Sequence, residues 1–284
     1  MKYACFLFIL FVLATSCQTK SPKENTQPVL TLKWTTDTVM TTCESVIYDK
    51  DHDVLYVANM NGGADVKDGN GFISKVALDG SVSSLNWIGG MDAPKGMGLF
   101  NGKLFVADID RIHEVDINAG KITQTYSLPE AKFLNDVTVD ANGRVFSSDS
   151  RSGDIFMIQN GKVSKWFSGI AGPNGLLSEG DKMLSLAWDT QTMNSIDTAT
   201  KQVVMKADSI ENPDGVEAVG DGGYLVSSWN GMIHYVGADG KSLVLLDTRA
   251  DSLSAADIEY IPEKKLLLVP TFYKNKVMAY ELKN

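Results

Sequence analysis

Cysteine is scarce in this chain: three in 284 residues, at Cys5, Cys17 and Cys43. The first two fall in an apolar N-terminal segment and its end, so Cys43 stands alone and no intrachain disulfide can hold the folded part. Two readings exist for Cys43, a nucleophile beside Glu44 or a small buried hydrophobe; the second is the usual state of free cysteine. Histidine is equally sparse. His52, His113 and His234 are scattered without ligand spacing, which disfavours zinc. Basic clusters are missing too: 26 Lys and Arg against 35 Asp and Glu give a net charge of −9. The electrostatic footprint that nucleic-acid binding needs is therefore lacking. The apolar run over residues 4–14 is shorter than the ~20 residues of a membrane-spanning helix, and no segment carries a long helical period.

What the N-terminus does have is the layout of an export signal over 1–16: basic Lys2, the apolar run, then Leu13-Ala14-Thr15-Ser16-Cys17. Small residues before a cysteine resemble a bacterial lipoprotein cleavage box, with Cys17 as the lipidation site; Ala14 departs from the usual Leu. The other reading is an ordinary signal peptide. Residues 17–29, polar with two prolines, read as a tether. An exported lipoprotein, anchored to a membrane and facing the periplasm or cell exterior, is the expectation.

The remainder, 30–284, repeats. A polar residue followed by a short apolar strand recurs as Cys43-Glu44-Ser45, Pro94-Lys95-Gly96, Leu134-Asn135-Asp136, Pro173-Asn174-Gly175, Pro213-Asp214-Gly215 and Ala256-Asp257-Ile258. Six copies at about 40 residues match four-stranded propeller blades. Asn101-Gly102, Asn142-Gly143, Asn160-Gly161 and Asp239-Gly240 are hairpin signals between β-rich runs. After Asp257 only three strands fit, and one unassigned strand, residues 30–34, precedes Glu44. The prediction is all-β: a six-bladed β-propeller with the N-terminal strand closing the last blade. In such a ring the six polar residues open the innermost strands and point toward the channel on one face. The loop over 59–71 is the longest on that face, and reads either as a cover for the channel mouth or as a surface insertion. Trp188, Trp229 and Phe272 fall near the mouth and suit either an apolar ligand or packing between blades.

The ring reads Glu44, Lys95, Asn135, Asn174, Asp214, Asp257. Asn and Asp before Gly are common turn residues, which explains any one copy better than the series. Oxygen-only donors suit a divalent ion, Ca²⁺ first, with Mg²⁺ or Mn²⁺ as alternatives. Three or four protein oxygens leave positions for water or substrate.

These motifs, in order and at blade spacing, resemble the senescence marker protein, gluconolactonase and luciferin-regenerating enzyme-like family, to which regucalcin belongs. The resemblance covers nearly all of residues 40–284. It implies metal ligands at Glu44, Asn174 and Asp214, and a substrate- or water-contacting Asn135. Trp229-Asn230-Gly231 resembles the stretch after the Asp ligand. Two departures stand out. Phe133 occupies the place where sugar-lactone members tend to have Arg, and Lys95 puts a cation in the ring, to pair with Glu44 or Asp257 or to bind a substrate anion. The leading expectation is a metal-dependent hydrolase of a lactone or related ester. Asp214 would be ligand and general base, and Asn135 would position water or substrate. Lys95, Phe133 and Trp229 complete the substrate contacts. The alternative is a non-catalytic, lipid-anchored propeller that binds a ligand or partner. A monomer acting on a small-molecule substrate is expected, with the membrane touched only through the lipid anchor.

Overall fold

The computed structural model describes residues 27–283, with Met1 and Tyr3 ahead of them. The expected signal peptide, Cys17 and nearly all of the tether lie outside the described residues. From Val29 onward the chain forms six four-stranded antiparallel sheets, the blades of a six-bladed β-propeller. The first blade is typical: Cys43–Asp49 innermost, then Val54–Asn59, Gly71–Val76 and Val82–Met91 at the rim. Four more blades follow in sequence order.

The last blade is built from both chain ends. Glu259–Ile261, Leu266–Pro270 and Val277–Lys283 run outward, and Val29–Thr35 adds the outer strand. It pairs antiparallel with Val277–Lys283, from Val29 opposite Lys283 to Thr35 opposite Met278. The one-plus-three closure expected from strand counting is thus present. It covers the outer edge of Val277–Lys283, which would otherwise stand open at the chain end.

Burial follows strand position. Second strands are buried almost end to end, as in Val145–Asp149 and Leu266–Pro270, where all residues are buried. Rim strands such as Lys121–Ser127 alternate exposed and half-buried residues, the period-two pattern of a sheet with one wet face. Hairpins use the expected turns: Asn101 and Gly102 have φ of 47° and 71°, Asn160 and Gly161 52° and 72°. Two successive positive φ values make the turn whose twist matches the strands.

The core lies between blades. Tyr56, Ala58 and Ile73 of the first blade pack on Met97, Leu104 and Val106 of the second. The closing seam joins Met40, Cys43, Val46 and Leu55 to Ile261, Leu266, Leu268 and Val277, with Trp34 of the N-terminal strand against them. Cys43 is a seam residue. It is fully buried, its thiol faces the Lys276 carbonyl at 3.4 Å, and burial pushes its pKa up to about 11. That environment suits a small hydrophobe, not a nucleophile.

Two glycines fix how closely inner strands meet. A Cβ on Gly175 would run into the Asp214 carbonyl, and one on Gly215 would lie 2.5 Å from the Ile258 nitrogen. The Gly after the ring residue therefore lets adjacent inner strands converge around the channel.

Candidate functional site at the channel mouth

In five blades the ladder between first and second strands slips at the ring position. The shifts fall between Cys43 and Ser45, Pro94 and Met97, Leu134 and Val137, Pro173 and Leu176, and Pro213 and Val216. Such bulges re-aim side chains. Here they turn Glu44, Lys95, Asn135, Asn174 and Asp214 out of the ladder into one cavity of about 320 Å³. All five side chains are less than a tenth exposed.

Asp257 departs from the expected ring. Its residue bridges Ser45, whose hydroxyl donates to the Asp257 carboxylate at 2.6 Å. It lines a second cavity of about 250 Å³ with Asp136, Glu217 and Glu259. The mouth is a five-residue arc, closed on the sixth side by other groups.

Those groups include the long loop between Val54–Asn59 and Gly71–Val76. Its Met60 and Ala64 line the cavity and pack with Ala93, Ile109, Ala256, Phe272 and Trp229. Its tip crosses the second blade to the third. Asp65 pairs with Arg151 at 2.9 Å, Lys67 pairs with Asp110, and the Gly69 N–H donates to Asp92 at 3.0 Å. Of the two readings of this loop, the structure gives the cover.

Backbone donors hold the mouth in shape. The Asp149 carboxylate accepts the N–H groups of Lys132 at 2.6 Å, and of Phe133, Arg151 and Ser152 at 3.1 Å each. It thereby fixes both Phe133 and Arg151. Asp108 does the same one blade earlier, accepting from Asp92 and Ala93 and facing His113 Nε2 at 3.0 Å. Asn135 donates to Ser150 Oγ at 3.1 Å, and Ser150 donates to the Pro173 carbonyl at 2.8 Å. Ser150, Arg151, Met60 and Ala64 were not singled out from sequence. The Asp149-Ser150-Arg151 run on a mouth-facing loop was the only signal for the first two.

Phe133 and Lys95 are placed together. Lys95 Nζ lies 4.5 Å and Arg151 Cζ 4.4 Å from the Phe133 ring centroid, within cation–π range. Lys95 makes no ion pair with Glu44 or Asp257; it donates to the Ala93 carbonyl at 3.1 Å. Of the two readings of Lys95, direct pairing with a ring carboxylate is absent: the ammonium is turned to the carbonyl and the ring face. Trp188, Trp229 and Phe272 line the cavity. Trp229 and Phe272 also meet edge to face, at 5.6 Å and 73°.

Burial dominates the electrostatics. Burial, then the Asp214 charge, pushes the Glu44 carboxyl well above its usual range, with Lys95 opposing. Burial, then Asp136, takes Asp214 to about 7, with Asn174 favouring its charged form. Burial lowers Lys95 to about 8 against the pull of Glu44. Glu44 Oε2 is buried with no hydrogen-bond partner among the described residues. Two buried carboxylates, one with an unpartnered oxygen, beside an amide form an oxygen-only donor set that fits a hard divalent cation. Among the described residues no three His, Cys, Asp or Glu side chains converge as a ligand set. A cation would need Asn174 and water or substrate.

No family model and no curated protein matches the chain by sequence. Solved structures do. A gluconolactonase from Xanthomonas campestris superposes with a TM-score of 0.69 at 15% identity, covering 86% of this chain and 87% of that one. A catalytically inactive virginiamycin B lyase from Staphylococcus aureus, with quinupristin, gives 0.63 at 14%, covering 90% and 99%. At these identities the likeness is one of fold.

Proposed function

We propose that the channel mouth holds a divalent cation, Ca²⁺ first, at Glu44, Asn174 and Asp214, and that the protein hydrolyses a lactone or related ester there. The observation that carries this is the unpartnered, buried Oε2 of Glu44 in a cavity shared with Asp214 and Asn174. When bound, the cation supplies charge stabilisation to the oxygen of the attacked carbonyl.

The chain's own residues do the rest. Asp214 takes a proton from the attacking water, which a carboxylate that holds the cation through one oxygen can do through the other. Asn135, oriented by Ser150, positions water or substrate through its amide. Met60 and Ala64 of the cover, with Trp229 and Phe272, keep bulk water from the reacting atoms. The gluconolactonase of similar fold makes a lactone the first substrate class to test. One observation favours the second reading, a binding propeller without turnover. Phe133 is clasped by Lys95 and Arg151, which fills the place expected of a sugar-contacting arginine.

Purified protein assayed with Ca²⁺ on a panel of lactones and aryl esters tests the proposal. Turnover that Asp214→Ala abolishes, with the melting transition kept, is the expected result. Turnover unchanged in that variant removes Asp214 from the chemistry, and no turnover on any substrate favours the binding propeller. The proposal includes export and anchoring through a lipid on Cys17.

A further inference from the structure

We propose that Lys95, seated on the Phe133 ring, is an anion subsite, and that the substrate carries a carboxylate on an apolar body. This rests on the cation-dependent reading of the mouth given above.

Lys95 is 1% exposed. Its ammonium has three donors and, among the described residues, one hydrogen-bond acceptor, the Ala93 carbonyl. Phe133 covers one side at 4.5 Å, and both residues line the cavity. The remaining N–H groups therefore have only the cavity to meet. A buried ammonium needs compensation. In the cation-free protein Glu44 is the first charge to provide it through space, ahead of Asp108 and Asp65. A divalent cation held by Glu44 and Asp214 would take up the charge of both and leave Lys95 as one unmatched positive charge. The other nearby charges are already engaged. Asp108 accepts from two backbone N–H groups and faces His113, Arg151 is paired with Asp65, and Asp189 sits exposed at the rim.

One unmatched charge calls for a monoanion. A carboxylate fits it, whereas a phosphate dianion would leave excess negative charge in a buried site. The rest of the ligand meets Met60, Trp188, Trp229 and Phe272, walls that offer an apolar body contact and a polyol few hydrogen-bond partners.

Calorimetric titration of the full chain in Ca²⁺ with phenylacetate, phenylacetamide and phenyl phosphate tests this. Wild type should bind phenylacetate about tenfold more tightly than the uncharged amide, and Lys95→Gln should erase that preference while keeping Ca²⁺ uptake. The wild-type comparison stands even where the variant fails to fold. Equal affinity for acid and amide, no detectable phenylacetate binding, or a preference that survives Lys95→Gln overturns the subsite. Tighter binding of phenyl phosphate overturns the assignment to carboxylate. A Ca²⁺ titration run first separates the two ideas. No Ca²⁺ uptake with an intact acid preference sinks the cation reading and leaves the subsite; Ca²⁺ uptake without the preference does the reverse.

Discussion

Raising the pH of cation-free protein from about 5 to about 8 should weaken its fold, and Asp214→Asn should remove one group's share of that loss, with Asp136 and Glu259 held up by burial in the same range. The Asp214 carboxyl has an ordinary value of 3.8 and is held at about 7 in the folded protein, chiefly by burial. Between those values the folded state keeps a proton that the unfolded chain has released. Stability therefore falls as pH rises through that window and levels off above it. From about pH 5 upward the loss from this one group is on the order of 3 kcal/mol. Asn cannot titrate, so the variant should lose less over the same range by about that amount. Urea unfolding in chelator at the two pH values, for both proteins, gives the number directly. Ca²⁺ should restore the wild type at the higher pH, by ~2.7 kcal/mol at a hundredfold excess over its dissociation constant, and do little at the lower one. Identical pH dependence in wild type and Asp214→Asn would mean that the carboxyl is not buried in a proton-demanding site.

Other expectations bear on the scaffold and the mouth. Trp34→Ala, at the seam where the N-terminal strand closes the ring, should cost roughly 2–3 kcal/mol in chemical denaturation. Asp149→Ala leaves four backbone N–H groups without their acceptor; a loss of at least 1–3 kcal/mol is expected, with a rise in KM from the displacement of Phe133 and Arg151. By contrast Asp65→Asn breaks an exposed pair and should change stability by less than about 1 kcal/mol, measured as a melting shift. Cys17→Ser should abolish metabolic labelling with palmitate and release the protein from the membrane fraction; labelling that persists would point to an ordinary signal peptide.

The ring was legible because its signal is periodic. Six polar residues at nearly equal spacing, Asn-Gly turns and a strand count short by one in the last blade each point to the same closure, and residues 30–34 supply the missing strand. The arc of Glu44, Lys95, Asn135, Asn174 and Asp214 followed from that periodicity. Asp257 did not follow it, because its carboxylate is held by Ser45 and faces the opposite cavity. Sequence spacing sets which strand a residue opens, not which end of the channel it serves. The pairing partner of Lys95 was equally hidden, since a carbonyl two residues back and a ring one blade over leave no mark in a sequence. The cover over 59–71 showed its length in advance. Its course was settled by contacts made far along the chain, Asp65 with Arg151 and Lys67 with Asp110.

A crystal soaked in Mn²⁺ and measured near the manganese absorption edge tests the central claim most directly. One anomalous peak is expected in the channel mouth, within about 2.5 Å of oxygens from Glu44, Asn174 and Asp214, and no peak there in Glu44→Gln/Asp214→Asn. A mouth without a peak at saturating Mn²⁺, or a peak that survives the double substitution, would contradict it.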